Sequence, residues 1–167
     1  MPDDRAPILP PESPAALPHN IEAEQFLLGA ILADNESIER IDSLLRAEHF
    51  YDPVHQRLYE VMKLRIDRGL LADTVTLKAH FASEGSLAEL GGEEYLRLLA
   101  AHVPSLAHVI DYARAIFETF QRRGLARLGD EIALRAHDED VENAPAEQIR
   151  EAEEKLYTLA EVGRYGG

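Results

Sequence analysis

Cysteine and tryptophan are both missing from this chain, and methionine occurs only twice. Without thiols there are no disulfide staples and no thiolate metal site, a usage that suits a reducing compartment. Long apolar runs are missing too. The longest, Phe26–Ala33, is far too short to span a bilayer. No basic region leads into an apolar one at the N-terminus, as a secretory signal would require. These absences predict a cytoplasmic protein with no membrane partner. Basic charge is also scarce: 17 Lys and Arg stand against 31 Asp and Glu, for a net charge of −14. Nucleic-acid affinity comes mainly from neutralising phosphates, so a chain this acidic repels DNA on average. The excess is concentrated in Asp138–Glu161, where nine acids face only Arg150 and Lys155. Such a run is more often a solvated face than a partner site.

What is present is helical. The 167 residues suffice for one ordinary core, or for a core plus an appendage. Six of the nine prolines fall in Met1–Pro18 among few large apolar residues, which predicts a disordered or extended arm over 1–19. Asn20 is a suitable N-cap for a helix through about Ala33, with Glu22 and Glu24 favouring its dipole. Ile38, Ile41, Leu44 and Leu45 form the stripe of a second helix. Asp52 caps a third, with Pro53 at its first position and Gly69 as its stop. Asp73–Glu84 is a fourth, ended by Gly85, and a turn at Ser86–Leu90 leads through Gly91-Gly92 to Glu93–His102.

From Leu106 to about His137 the pattern is helical without a break. Leu106, Val109, Ala113, Ile116 and Phe120 step by 3, 4, 3 and 4, a coiled-coil-like seam. Ile110, Phe117, Leu128 and Ile132 widen it. After a polar turn, a helix from Pro145 carries Ile149, Ala152, Leu156 and Leu159. The fold class is therefore all-α: a compact helical head over 20–103, then an antiparallel hairpin over 104–161. The long helix presents more apolar surface than its shorter partner can hide. Either the head or a second subunit must cover Ile116, Phe117 and Phe120. The self-association candidates are Ile116, Phe117, Phe120, Leu128, Ile132, Ile149, Leu156 and Leu159. Aspartate at Ile116 or Leu156 is expected to weaken such an assembly. Five arginines on the long helix face the acidic segment, so ionic pairing between the hairpin's helices is expected.

Signals for chemistry do not survive inspection, and no catalytic, cofactor or metal residue is assigned. Gly124 and Gly129 have the spacing of a phosphate-cradling loop, but Asp130 and Glu131 stand where Lys and Ser or Thr are needed. Within the long helix these glycines imply a bend or a close backbone approach. No two histidines lie at i, i+4 on one helix and His-Glu-x-x-His is absent. There is no nucleophile elbow. His55 and Tyr59, one turn apart, read as an amphipathic pair at the edge of the head. Arg114, Arg122, Arg123 and Arg127 lack the interleaved aromatics of a nucleic-acid platform.

The ordered set NIEAEQFLLGAIL, HFYDPVHQRLYEVM, LADTVTL, ELGGEEYLRLLA, VPSLAHVIDYARAI and AEEKLYTLAE resembles the N-terminal region of the DnaB family of replicative DNA helicases. The resemblance implies that Glu24, Gly29, Phe50, His55, Tyr59, Asp73, Gly91, Gly92 and Tyr95 shape the head. It implies a collar domain that works in DNA replication by pairing hairpins into dimers, three of which sit on a hexameric ring. The partners it implies are a second copy, the C-terminal domain of primase, and a helicase loader, with DNA engaged only through the full ring. ATP and Mg would belong to a C-terminal motor that is not encoded here, and EVGRYGG (162–167 above all) resembles the start of the linker to it. Read without the resemblance, the chain also suits a free-standing helical adaptor or loader, or a small helical enzyme using scattered His and Glu.

Overall fold

The computed structural model describes residues 16–101, 105–139, 142 and 144–166, with 162–166 given by backbone only. Among them are helices α1 (Ile21–Ala33), α2 (Pro53–Asp67), α3 (Thr74–Glu84), α4 (Gly92–Ala101), α5 (Val109–Ala136) and α6 (Pro145–Gly166). Short 3-10 turns occur at Asn35–Arg40, Ala47–His49, Ala88–Leu90 and Leu106–His108, and no strand is found among the described residues. The arm expected over 1–19 lies outside the described residues up to Ala15, as do His102, Val103, Pro104 and, in the polar turn before Pro145, Asp140, Val141 and Asn143.

Local chemistry explains where the helices begin and end. Asn20 accepts the Ala23 N–H at 2.9 Å, and Asp52 accepts the Val54 N–H at 2.8 Å with Pro53 at the first helical position. Asp73 and Thr76 exchange side-chain and backbone bonds in a capping box at 2.8 and 2.9 Å. Gly85 closes α3 in the left-handed region, where a side chain would be strained.

The helix expected at Ile38–Leu45 does not form. Asp34 instead accepts the Glu36 N–H and starts a 3-10 turn. Asn35 donates to the carbonyls of Ile31 and Ala72, both at 2.8 Å, and accepts the Ala72 N–H at 2.9 Å. A side chain that substitutes for a strand of backbone in this way competes with continuing the helix. Ile38, Ile41 and Leu45 are nonetheless buried.

α1 is the central rod. Leu27, Leu28, Ala30 and Ile31 are fully buried, because α2, α4 and α5 pack around it. Each such Leu or Ile contributes about 1.5–3 kcal/mol by leaving water. The head's core does not stop at α4. Val109, Ala113, Ile116 and Phe117 on the first half of α5 belong to it. Burial at Ile116 and Phe117 is thus provided by the chain's own head, which removes the reason for assigning them to a subunit contact. Ile116→Ala should destabilise the fold by about 2–5 kcal/mol, whereas Leu134→Ala, at a site 75% exposed, should change it by under about 0.5 kcal/mol. Urea unfolding of the two variants checks this.

Candidate functional site

Several side chains that define the head come together in one buried hydrogen-bonded chain. Gln25 Nε2 donates to the Tyr95 hydroxyl at 3.2 Å. That hydroxyl lies 2.5 Å from His55 Nε2, and His55 Nδ1 lies 2.7 Å from Glu24 Oε1. Burial raises the Tyr95 phenol above its usual range, which keeps it a donor. Polarity then runs one way: Tyr95 O–H donates to Nε2, and Nδ1–H donates to the Glu24 carboxylate. Glu24 also accepts the backbone N–H groups of Tyr51, at 2.7 Å, and Asp52, at 3.3 Å.

The arrangement imitates a catalytic relay in order, but Glu24 and His55 are both fully enclosed and every ring nitrogen is spoken for. Its work is to join α1, α2 and α4. Glu24 stands in the first turn of α1, as expected, and is also an interior acceptor. His55 and Tyr59 sit in the core and not at its edge, with the Tyr59 hydroxyl donating to the Leu45 carbonyl at 3.2 Å. Phe50 packs on Tyr59, and Gly29 is buried on α1. Gly91 and Gly92 take φ of +92° and +75°, and a Cβ on Gly91 would stand 2.8 Å from that of Tyr95. The turn therefore sets where Tyr95 begins its reach toward His55.

A second buried polar group, Arg123, was invisible to pattern reading beyond its charge. Its guanidinium donates to the carbonyls of Pro18, at 2.9 Å, and His49, at 2.8 Å. The Tyr51 and Phe120 rings lie 5.3 and 5.9 Å away, and His19 stacks on Tyr51. Residues 18 and 19 are thus held against α5, and Arg123 is 4% exposed. His49 packs on Phe117 and Phe120, and its Nδ1 accepts the Arg46 N–H at 2.9 Å. Burial first, then Arg46 and Arg123, lowers its pKa to about 4.

The second half of α5 leaves the head and runs antiparallel to α6. Register is fixed by Lys155 with Glu131, Arg135 with Glu151, and Leu159 seated over Gly124. A Cβ on Gly124 would meet Leu159 Cδ2 at 2.7 Å, so this glycine admits a close helix approach. Gly129 has nothing within 4 Å. In an α-helix, glycine costs roughly 1 kcal/mol relative to alanine. For Gly129 no contact among the described residues offsets that cost.

The two helices do not close on each other. Between them lies a cleft of about 720 Å³ lined by Leu128, Ile132, Ala136, Ile149, Ala152 and Leu156, with the two cross-helix ion pairs at its rim. Ile132, Ile149 and Leu156 are exposed at 42%, 60% and 45%. Of the other self-association candidates, Ile116 and Phe117 are in the head's core. Phe120 is half-buried against His49, Leu128 is buried at the cleft floor, and Leu159 is half-buried on Gly124. Exposed Leu125, Leu134 and Tyr157 were not singled out by the sequence. Backbone helix continues through Gly166, where the linker was expected to begin. Among the described residues, no cluster of three or more His, Asp or Glu could hold a metal, and no helix is long and apolar enough to cross a membrane.

A helical head with a projecting, open antiparallel hairpin defines the class. The family described as DnaB-like helicase N terminal domain matches residues 16–118. The replicative DNA helicase DnaB of Rickettsia typhi is 38% identical over 150 residues, which are 90% of this chain and 30% of that protein. That of Geobacillus stearothermophilus is 40% identical over 116 residues, 70% of this chain and 26% of that protein. The crystal structure of the N-terminal domain of DnaB helicase from Mycobacterium tuberculosis aligns with a TM-score of 0.76 at 31% identity, covering 86% of this chain and 99% of that one. A structure of a DnaB-like replicative helicase and its interactions with primase gives a TM-score of 0.65 at 30% identity, covering 84% of this chain and 31% of that one. This chain belongs to the DnaB-like helicase N-terminal domain family, and it spans under a third of the length of these two curated relatives.

Two expectations follow from the buried groups. Tyr95→Phe removes the donor to His55 Nε2 and should cost about 1–3 kcal/mol in urea unfolding, the range for a buried polar atom left unsatisfied. For His49, the unfolded ring takes up a proton near 6.5, while the folded one stays neutral until about 4. Stability should therefore fall as pH drops through that window, by up to about 3 kcal/mol. His49→Gln should flatten that part of the profile of urea midpoint against pH.

Proposed function

We propose that this chain is the N-terminal collar module of a hexameric, ATP-dependent replicative DNA helicase, acting in DNA replication through self-association and through docking of the C-terminal domain of primase. The observation that carries the reading is the near-complete coverage of a DnaB N-terminal domain, 99% of that chain, by a fold whose hairpin cleft stands open. An apolar cleft with exposed Ile132, Ile149 and Leu156 is unstable in water at about 0.8 kcal/mol per CH₂ left uncovered. A second hairpin offers the same surface in return, which is what an isologous contact requires. Three such dimers would make the collar.

The similarity of fold to a helicase structure that includes primase interactions supports primase as the second partner. Nothing in the described head supplies a phosphate-binding loop, so ATP and Mg in this reading belong to a motor region of the kind the longer relatives have. DNA and a helicase loader act through the assembled ring, in the cytoplasm. The acidic second helix makes direct DNA contact by this module unfavourable, since each phosphate contact needs a cation.

Sedimentation velocity across micromolar concentrations tests the self-association. The chain should form dimers or larger species, and Ile132→Asp or Leu156→Asp should shift it toward monomer by at least tenfold in Kd with circular dichroism unchanged. A monomer throughout that range would contradict the proposal. Ile116→Asp should instead unfold the head, because that side chain has no solvent-facing surface to lose.

A further inference from the structure

The segment that enters α1 crosses α5 at the place where the head's support ends. Arg123 is the last residue of α5 that the head buries, and residues 17–19 form part of its cover. Its Nη1 donates to the Pro18 carbonyl and its Nη2 to the His49 carbonyl. The Tyr51 ring lies against the guanidinium, and His19 stacks on Tyr51 at 4.4 Å with 17° between the planes. His19 Nδ1–H donates to the Leu17 carbonyl at 2.6 Å, so the ring and its own backbone hold one another in place.

This cover is one layer thick. Pro18 and His19 are exposed, while the guanidinium beneath them is not. Among the described residues no carboxylate forms an ion pair with Arg123, whose hydrogen bonds go to neutral carbonyls. Burial is the largest influence on it and pulls its pKa below the ordinary range. A cation held by carbonyls and rings alone gains from their geometry and loses its hydration. Lifting residues 17–19 trades one hydrogen bond and one ring stack for water on the guanidinium. The exchange is close to balance.

Its location gives that balance a consequence. Residues 17–19 lead directly into Asn20, which caps α1 by accepting the Ala23 N–H, and Tyr51 donates its own N–H to Glu24 on α1. One point therefore ties the start of α1, the turn at 49–51 and α5. The apolar contacts of α5 with the head, Val109, Ala113, Ile116 and Phe117, lie about two to four turns nearer its start. They hold the helix down without the directionality of a hydrogen bond, so its exit angle depends on Arg123. We infer that residues 17–19 are a releasable strap: closed over Arg123 it fixes the angle at which the hairpin leaves the head, and open it lets the hairpin tilt. The inference concerns a single copy and does not depend on the self-association proposed above. A pull on residues 17–19 redirects the hairpin without touching it.

The chain's lack of cysteine lets spin labels be placed in pairs. Ala82→Cys on α3 and Leu134→Cys near the end of α5, both exposed, report the hairpin's direction by double electron–electron resonance. Diluting the labelled chain into a large excess of unlabelled chain confines the reading to pairs within one copy. The parent should give one narrow distance distribution. His19→Ala removes an exposed ring and no core contact, and should widen the distribution at least twofold with circular dichroism unchanged. Arg123→Lys lacks the planar fork that reaches two carbonyls and should widen it similarly, whereas Arg122→Gln beside it should not. A second pair, Ala82→Cys with Arg114→Cys on the supported half of α5, should stay narrow throughout. Where Arg123→Lys fails to fold, His19→Ala alone decides. An unchanged width in His19→Ala, or in a folded Arg123→Lys, overturns the inference. Equal widening in Arg122→Gln or between positions 82 and 114 overturns it as well.

Discussion

One helix has to satisfy two unrelated surroundings. α5 is 28 residues long, about 42 Å at the ordinary rise, and only its first half has the head to lie against. Val109, Ala113, Ile116 and Phe117 complete the core around α1. Beyond Arg123 the cover among the described residues is α6, which is joined to it by two ion pairs and by Leu159 over Gly124. A continuous helix cannot turn its apolar face to follow the change. It carries apolar residues on the head side early and on other sides late, and of the late ones Leu125, Ile132 and Leu134 remain in solvent. The head's core is thus closed while the hairpin cleft stays open.

The grip on the first half of α5 is unusually polar for a core. Arg123 bonds two backbone carbonyls while Tyr51 and Phe120 lie against its guanidinium, and His49 beside it is held neutral. Hydrogen bonds to fixed carbonyls have a direction, which apolar contacts lack, so they specify the rotation of α5 as well as its presence. Glu24, His55 and Tyr95 do the same for α1, α2 and α4. Their chain of donors and acceptors has one satisfied order, and a helix displaced by a turn would break it. Specificity of packing here comes from a few buried polar groups set among leucines.

Much of the head was readable from local rules. Asn20, Asp52 with Pro53, Asp73 and Gly85 mark helix ends because capping depends on residues within one turn. What was misread involved partners far along the chain. His55 looked like an edge residue because Glu24 and Tyr95 lie 31 and 40 residues away. Asn35 bridges to Ala72 across 37 residues, and that bridge displaced the helix expected at Ile38–Leu45. Hydrophobic periodicity identified the stripe of Ile116 and Phe117 but not the body that covers it, since a stripe looks alike whether the head or a second chain lies against it. The open hairpin was anticipated in kind. Its exposed members shifted toward the tip, from Ile116 and Phe117 to Leu125, Ile132 and Ile149.

Held at one end and reaching past its support at the other, α5 acts as a lever. Residues 125–136 extend about 18 Å beyond the Arg123 anchor region, so a tilt of roughly 10° at the anchor carries the tip about 3 Å sideways. That is comparable to the width of a methyl group, enough to bring two rods into mesh or to part them. A disturbance near Pro18, where the arm meets the guanidinium, would be magnified at the far end. The tip is therefore the part of α5 whose position is most sensitive to how the base is seated.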